Sequence, residues 1–314
     1  MDALCERPRV VAIGGPTATG KTALSVAMAR RFNGEIINAD SMQIYRELSV
    51  GTAKVMPEEQ QGVPHHLLDF LPPECTYSVA DFTTSASNVI SEITARGHLP
   101  FVVGGTGLYI TSLLNGVSFA PEKNDPQVRR KLQQEAAEQG PEVLYQRLKM
   151  LDPVYAAKVH PHNLPRVIRA LELYEITGRK MSEQQQNSRP STPPYRSLCL
   201  CLGYRDRSVL YRRIDQRVDQ MLEKGILAEA ELVWKNRERY RTAAQAIGYK
   251  EFFPYLEGKQ TLPECVNSLK QATRNYAKRQ LTWFRHQGDV VWLYVDEENP
   301  AVQAEKLIEN FLQG

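Results

Sequence analysis

Gly15-Pro16-Thr17-Ala18-Thr19-Gly20-Lys21-Thr22 is the stretch that decides the fold, because of what stands on either side of it. Before it runs Arg9-Val10-Val11-Ala12-Ile13, a short apolar stretch of strand character that ends at Gly14-Gly15. After it Ala23, Leu24, Val26, Ala27, Met28 and Ala29 follow with helical spacing. Strand, glycine-rich loop and helix in that order are the context that a P-loop requires, and the whole pattern is present. The glycines let backbone N–H groups turn inward around a phosphate, and the helix N-terminus adds partial positive charge. Lys21 is placed to reach the outer phosphate and Thr22 to hold Mg²⁺. Such a loop grips any polyphosphate, so it predicts phosphate binding without naming the substrate.

Working outward, Glu35-Ile36-Ile37-Asn38-Ala39 is a second strand ending at Asp40-Ser41, and Pro100-Phe101-Val102-Val103 a third ending at Gly104-Gly105-Thr106-Gly107. Strands alternating with helices predict an α/β fold, a P-loop NTPase-like parallel sheet flanked by helices. Ligands of such sheets sit beyond the C-terminal strand ends, so the P-loop, Asp40 and Thr106 are expected to share one cleft. Asp40 follows Thr22 by 18 residues and is expected to serve as base or metal-shell ligand; the competing role is to cap the turn before Tyr45. Thr106 is expected to donate to the base or to the phosphates, or else to cap the next helix.

From about Pro121 to Pro194 strand character vanishes, while Gln127 to Gln139, Pro141 to Leu151 and Leu164 to Glu175 carry amphipathic helical patterns. An inserted all-helical domain, residues 121–195, is expected between the core segments 1–120 and 196–314. Its exit, Gln184 to Pro194, is polar and predicts a flexible return linker. Ser197 to Leu202 resumes strand character, long helices follow, and Val290 to Tyr294 is a last strand before a C-terminal helix. No internal repeat is present.

A chain of 314 residues suits about two domains, and 42% apolar with 24% charged residues excludes disorder and a disulfide scaffold. Cys5, Cys75, Cys199, Cys201 and Cys265 are odd in number and lack paired metal-ligand spacing, which points to reduced thiols, one of Cys199 and Cys201 in the core. His160 and His162 lack further ligands at suitable spacing and predict a structural loop. No apolar run approaches the ~20 residues that span a bilayer, and Met1 to Arg7 has no signal-peptide core. A cytoplasmic protein without a membrane partner, acting as a monomer, is the expectation. The formal charge of +3 decides nothing about nucleic acid, so the placement of basic residues must.

That placement favours Lys270 to His286, where Lys270, Arg274, Lys278, Arg279 and Arg285 occur without an acid, interleaved with Tyr276, Trp283 and Phe284. Lys270, Arg274 and Lys278 form an i, i+4, i+8 stripe, expected to contact RNA rather than solvent alone; Trp283 and Phe284 are expected in the core. Arg213 and Arg217 share a helix face, and pairing with Asp215 and Asp219 competes with a phosphate role.

Further motifs occur in a telling order: Asp40-Ser41-Met42-Gln43-Ile44-Tyr45, Gly51-Thr52-Ala53-Lys54, Pro64-His65-His66-Leu67-Leu68-Asp69, Tyr77-Ser78-Val79-Ala80-Asp81-Phe82 and Gly104-Gly105-Thr106-Gly107-Leu108-Tyr109. After the insertion's His160-Pro161-His162-Asn163, Arg166 and Arg169-Ala170-Leu171-Glu172 come Ile247-Gly248-Tyr249 and Thr273 to Arg285. Together they resemble the tRNA dimethylallyltransferase (isopentenyltransferase) family over roughly Gly14 to Arg285; only Ser182 to Tyr195 carries no such motif. The resemblance implies transfer of a five-carbon allyl group from dimethylallyl diphosphate to N6 of the adenosine immediately 3′ of the anticodon, tRNA position 37. It implies Asp40 as general base, with Thr106 and Arg217 as further catalytic residues. Gly15, Pro16, Thr17, Ala18, Thr19, Gly20, Lys21, Thr22 and Arg213 would hold the diphosphate, Thr22 with Mg²⁺. The tRNA anticodon stem-loop would meet Asp40, Ser41, Met42, Gln43 and Thr106 at the reacting base. Further out it would meet Arg129, Pro165, Arg166, Val167, Ile168 and Arg169 of the insertion, Gln245, Ile247, Gly248 and Tyr249, and Arg274, Lys278, Arg279 and Arg285. Read from residues alone, a P-loop small-molecule or nucleotide kinase explains the N-terminal third equally well, and an ATP-switched RNA-binding module explains the basic helix.

Overall fold

The computed structural model describes residues 7–119, 125–188, 190–297 and 299–314. Six strands form one sheet: β1 (Arg9–Gly14), β2 (Gly34–Asn38), β3 (His65–His66), β4 (Leu99–Val103), β5 (Arg196–Gly203) and β6 (Val290–Tyr294). Their order is β3-β2-β4-β1-β5-β6, and every pairing is parallel. The central strands are continuous apolar runs because both faces are covered. Val10 and Ala12 point into one core and Val11 and Ile13 into the other, all fully buried. The two-residue β3 was not expected from sequence, since His65-His66 is too short and polar to show strand periodicity.

In chain order the helices of the sheet-bearing unit are α1 (Lys21–Arg31), the one-turn α2 (Pro57–Gln60), α3 (Val79–Ala95) and α4 (Gly107–Leu114). The next five, α5 (Pro126–Gln139), α6 (Pro141–Leu151), α7 (Pro153–Ala156), α8 (Leu164–Thr177) and α9 (Met181–Asn187), form a unit of their own. The first unit resumes with α10 (Arg207–Glu223), α11 (Ile226–Lys235), α12 (Phe253–Leu256), α13 (Leu262–Arg285) and α14 (Pro300–Gln313). The units comprise Met1–Leu114 with Pro194–Gly314, and Asn115–Pro193. The expected boundary at 120/121 lies outside the described residues. The polar exit is not loop throughout: α9 runs to Asn187 and is anchored at its start, where Asp152 accepts the Ser182 N–H at 2.8 Å. Arg189 of that stretch also lies outside the described residues.

At the N-terminal edge of the sheet, Glu35 of β2 is buried and receives Arg96 through two bonds of 3.0 and 2.8 Å, His66 at 2.6 Å and His98 at 2.7 Å. Burial pushes its carboxyl up, but the bonds from Arg96, His66 and His98 outweigh this and bring it down to about 2. This cluster clamps β2, β3 and the turn into β4 at the edge opposite the C-terminal strand ends. In the helical unit, Leu132, Leu144, Leu148, Val167 and Leu171 make the core.

Candidate active site

The P-loop leaves β1 through Gly15, whose φ of +133° few other residues adopt, and enters α1 through Gly20 at φ +84°. A Cβ on Gly15 would stand 2.6 Å from the Leu202 carbonyl oxygen of β5, so close strand packing also demands glycine there. No side chain caps α1, which leaves its N-terminal amides directed at the loop's concavity. Thr19 braces the loop from inside, its buried hydroxyl donating to the Pro16 carbonyl at 2.9 Å. Lys21 is half-buried and donates to the same carbonyl at 2.7 Å. One expected cradle donor is spent elsewhere: the Thr17 N–H donates to Gln280 Oε1 at 3.2 Å.

Burial lowers the Lys21 ammonium to about 8; Arg217 adds to this by repulsion, while Asp40 and Cys201 pull the other way. Arg217 of α10 is itself pushed down by burial, with Asp40 and Glu59 partly compensating, and its buried Nε has no hydrogen-bond partner among the described residues. Two cations and one carboxylate therefore meet at the mouth of the loop. That imbalance suits a multiply charged anion, which would relieve the Lys21–Arg217 repulsion and satisfy the orphaned Nε. Arg213, one turn earlier, is exposed and held by the Tyr204 hydroxyl at 2.8 Å, which in turn donates to the Ala18 carbonyl at 3.5 Å. The competing surface pairing does not occur. Asp215 takes Arg274 of α13 in a bidentate pair of 2.7 Å, and Asp219 takes Lys270 at 2.6 Å.

Asp40 lies just past the end of β2. One carboxylate oxygen caps the following turn by accepting the Met42 N–H at 2.9 Å, so the capping role and the proximity to Lys21 and Arg217 coexist. Thr106 faces it across the strand ends, its hydroxyl accepting the Ser41 N–H at 3.0 Å and donating to Ser41 Oγ at 3.3 Å, while its backbone N–H donates to Ala39. The hydroxyl does not cap α4; the Thr106 carbonyl opens that helix instead. Burial, then Asp40, drives the Tyr276 phenol up to about 12, opposed by its hydrogen bond with Thr106. A neutral phenol, a threonine and a carboxylate thus line one side of the cleft. Close approach is enforced at Gly104, where a Cβ would stand 2.2 Å from the Ala39 carbonyl oxygen.

Gln43, next along the strand exit, donates to the Thr52 and Ala53 carbonyls at 3.2 and 3.1 Å. That loop is pinned in turn by Glu229, whose carboxylate accepts the Ser49, Val50 and Gly51 N–H groups at 2.7 to 2.9 Å and the Tyr249 hydroxyl at 3.1 Å. The Gly51 to Lys54 motif is therefore a scaffold for Gln43. Tyr249 and Gly248 are buried, as are Val167 and Ile168 in the helical unit, and the side chains of Val167, Ile168 and Tyr249 pack into the cores of their units. Pro165, Arg166 and Gln245 are exposed and Ile247 is half-buried. Arg129 and Arg169 both bind the buried Glu172, at 2.6 and 3.2 Å. On α13 the stripe is divided: Lys270 and Arg274 serve α10, whereas Lys278, Arg279 and Arg285 are exposed.

Among the described residues no His, Cys, Asp and Glu side chains gather into a closed metal site, His160 and His162 included. Mg²⁺ keeps several waters and binds through few protein oxygens plus substrate phosphates. Thr22 on the first turn of α1 is the hydroxyl placed to supply one. No helix of the described residues is long and apolar enough to cross a membrane.

A family model described as IPP transferase matches residues 43–287, and one described as isopentenyl transferase matches residues 8–71. A tRNA dimethylallyltransferase of Carboxydothermus hydrogenoformans is 48% identical over 300 residues, covering 96% of each chain. The chain belongs to the tRNA dimethylallyltransferase family. Among solved structures of this family, the full-length tRNA isopentenylpyrophosphate transferase of Bacillus halodurans is 42% identical, with a TM-score of 0.73 over 98% of this chain and 97% of the other. A eukaryotic dimethylallyltransferase described as acting on tRNA is 34% identical, with a TM-score of 0.81 over 96% of this chain and 79% of the other. Sequence reasoning about the tRNA dimethylallyltransferase motifs passed over Gln280 and gave Tyr276 no site role. The available signal was helical phase: Tyr276, Gln280 and Phe284 recur every four residues, on a face opposite to exposed charge.

Proposed function

We propose that this protein transfers the dimethylallyl group of dimethylallyl diphosphate to N6 of the adenosine 3′-adjacent to the anticodon, position 37 of tRNA. The observation that carries the proposal is the meeting of Lys21 and Arg217 with the Asp40 carboxylate at the P-loop of a chain in this family. The cations face a leaving diphosphate, and the carboxylate faces an incoming amine. The C1–O bond of the donor breaks with its electron pair going to diphosphate, N6 forms the new bond to C1, and the N6 proton passes to Asp40.

Adenine N6 is a poor nucleophile because its lone pair is delocalised into the ring, so a positioned base is worth about 10²–10⁴-fold. Charge building on the departing diphosphate is met by the P-loop amides, Lys21 and Arg217, with Arg213 at the rim. Mg²⁺ held by Thr22 and the diphosphate would neutralise part of that charge when bound. Thr106 and Tyr276 orient the groups around Asp40, and Tyr276 stays protonated and able to donate. The target base must leave the anticodon stack, at a cost of a few kcal/mol offset in the cleft. Asp40, Ser41, Met42, Gln43 and Thr106 are proposed to receive it. Lys278, Arg279, Arg285, Gln245, Ile247, Pro165 and Arg166 are proposed to hold the stem-loop, with Arg129, Arg169 and Arg274 acting from within their ion pairs. The protein is proposed to work as a cytoplasmic monomer.

The test incubates the protein with Mg²⁺, unmodified total tRNA and either radiolabelled dimethylallyl diphosphate or γ-labelled ATP, beside Asp40→Ala. Allyl label entering tRNA, and lost in Asp40→Ala, is the expected outcome. Consumption of ATP alone would replace this reading with a kinase or an ATP-driven switch.

A further inference from the structure

Gln280 is a polar side chain in the middle of the buried face of α13, only 6% exposed, and both ends of its amide are bonded. Oε1 accepts the Thr17 N–H at 3.2 Å, and Nε2 donates to the Gly105 carbonyl at 2.9 Å. These partners determine the orientation of the amide, because a backbone N–H only donates and a carbonyl only accepts. The two loops it joins hold the two halves of the site. Thr17 belongs to the loop that carries Lys21, and Gly105 precedes Thr106, which is bonded to Ser41 beside Asp40. Space is shaped for this amide: a Cβ on Gly105 would stand 2.3 Å from Nε2.

We propose that Gln280 is a positioning residue that sets the separation between the diphosphate loop and the Asp40–Thr106 side of the cleft. The proposal rests on the transferase reading above. Allyl transfer needs the leaving oxygen, C1 and N6 in line, and a displacement of about 1 Å in such an arrangement costs on the order of 10²-fold. A buried amide bonded at both ends fixes a distance in a way that apolar packing does not, because its bonds fail steeply when they lengthen. Gln280 touches neither reacting atom; it acts through Thr17 and Gly105.

The experiment compares wild type, Gln280→Met, Gln280→Ala, Gln280→Glu and Gly105→Ala, and adds the double variant Gly105→Ala with Gln280→Ala. Each is measured for thermal midpoint, tRNA dissociation constant by filter binding, and kcat and donor KM with dimethylallyl diphosphate at saturating tRNA. Gln280→Met loses both bonds and is expected to lower kcat by about 10²-fold while tRNA affinity stays within about twofold. Gln280→Glu keeps an acceptor for Thr17 but sets a carboxylate against the Gly105 carbonyl, and its donor KM is expected to rise at least about tenfold. Gly105→Ala should resemble Gln280→Met. Its further effect in the Gln280→Ala background should be small, since the colliding amide is gone. Variants that melt lower yet keep wild-type kcat and donor KM per folded molecule would overturn the inference alone. A wild type that transfers no allyl group would overturn the functional reading, and this inference with it.

Discussion

Replacing Arg217 by glutamine removes one of the two cations at the mouth of the P-loop and leaves the fold of α10 intact, since Leu210, Ile214 and Val218 carry its buried face. Loss of one preorganised donor to a leaving group costs about 3–4 kcal/mol, so kcat should fall by roughly 10²–10³-fold. A second consequence separates this role from a general weakening of the site. Lys21 sits at about 8 because of burial first and Arg217 second, with Asp40 opposing. Below that pH Lys21 is charged in the free enzyme and attracts diphosphate. Above it the charge is lost, and kcat/KM for the donor should fall by about tenfold per pH unit. In Arg217→Gln the repulsion disappears but burial remains, so the fall should begin above pH 8, still short of the ordinary 10.5 of a lysine. The assay is the pH profile of kcat/KM for dimethylallyl diphosphate from about pH 6.5 to 9.5 at saturating tRNA. An alkaline limb at the same pH in both proteins would refute the coupling, and a kcat loss under about threefold would refute the leaving-group role. Arg213→Gln is the contrast: exposed and tethered to Tyr204, it should lose less than about tenfold and leave the limb in place.

Three further outcomes are expected. Asp40→Asn keeps an acceptor for the Met42 N–H but cannot take up a proton, so kcat should fall by about 10²–10⁴-fold while donor and tRNA affinities hold; single-turnover rates with binding controls check this. Glu35→Gln leaves the half-exposed Arg96 without its charged partner and should lower the stability of the protein toward urea. Because the folded carboxyl lies at about 2, below its unfolded value, the Glu35 contribution is complete above about pH 4.5 and is lost as pH falls toward 2. The gap between wild type and Glu35→Gln should close over that window, with activity per folded molecule unchanged at neutral pH. Lys278→Ala with Arg279→Ala should weaken tRNA binding and make the slope of log affinity against log salt shallower by about one to two. Arg274→Ala, whose charge is shared with Asp215, should change that slope by less than the Lys278→Ala and Arg279→Ala pair does in filter-binding titrations.

Period and punctuation in the chain determined the sheet, the P-loop and the convergence of Asp40 and Thr106 at its C-terminal edge. A buried parallel strand shows as an apolar run whatever packs on it, and a glycine-rich turn between strand and helix has few other uses. The helical character of the insertion was equally legible, because α5, α6 and α8 are amphipathic over three turns or more, whereas the seven-residue polar α9 carries no such period. What the chain could not settle were the pairings. Lys270, Arg274 and Lys278 form one stripe in sequence, yet two of the three are answered by acids on α10, and that released Arg217 to face Lys21. Arg129 looks like a free basic residue until Glu172, on another helix, is brought against it. Gln280 gives no local sign of joining loops more than 100 residues away on either strand end. Backbone period is a local property that the sequence records directly, while the partner of a charge or an amide depends on which distant segment the fold delivers to it.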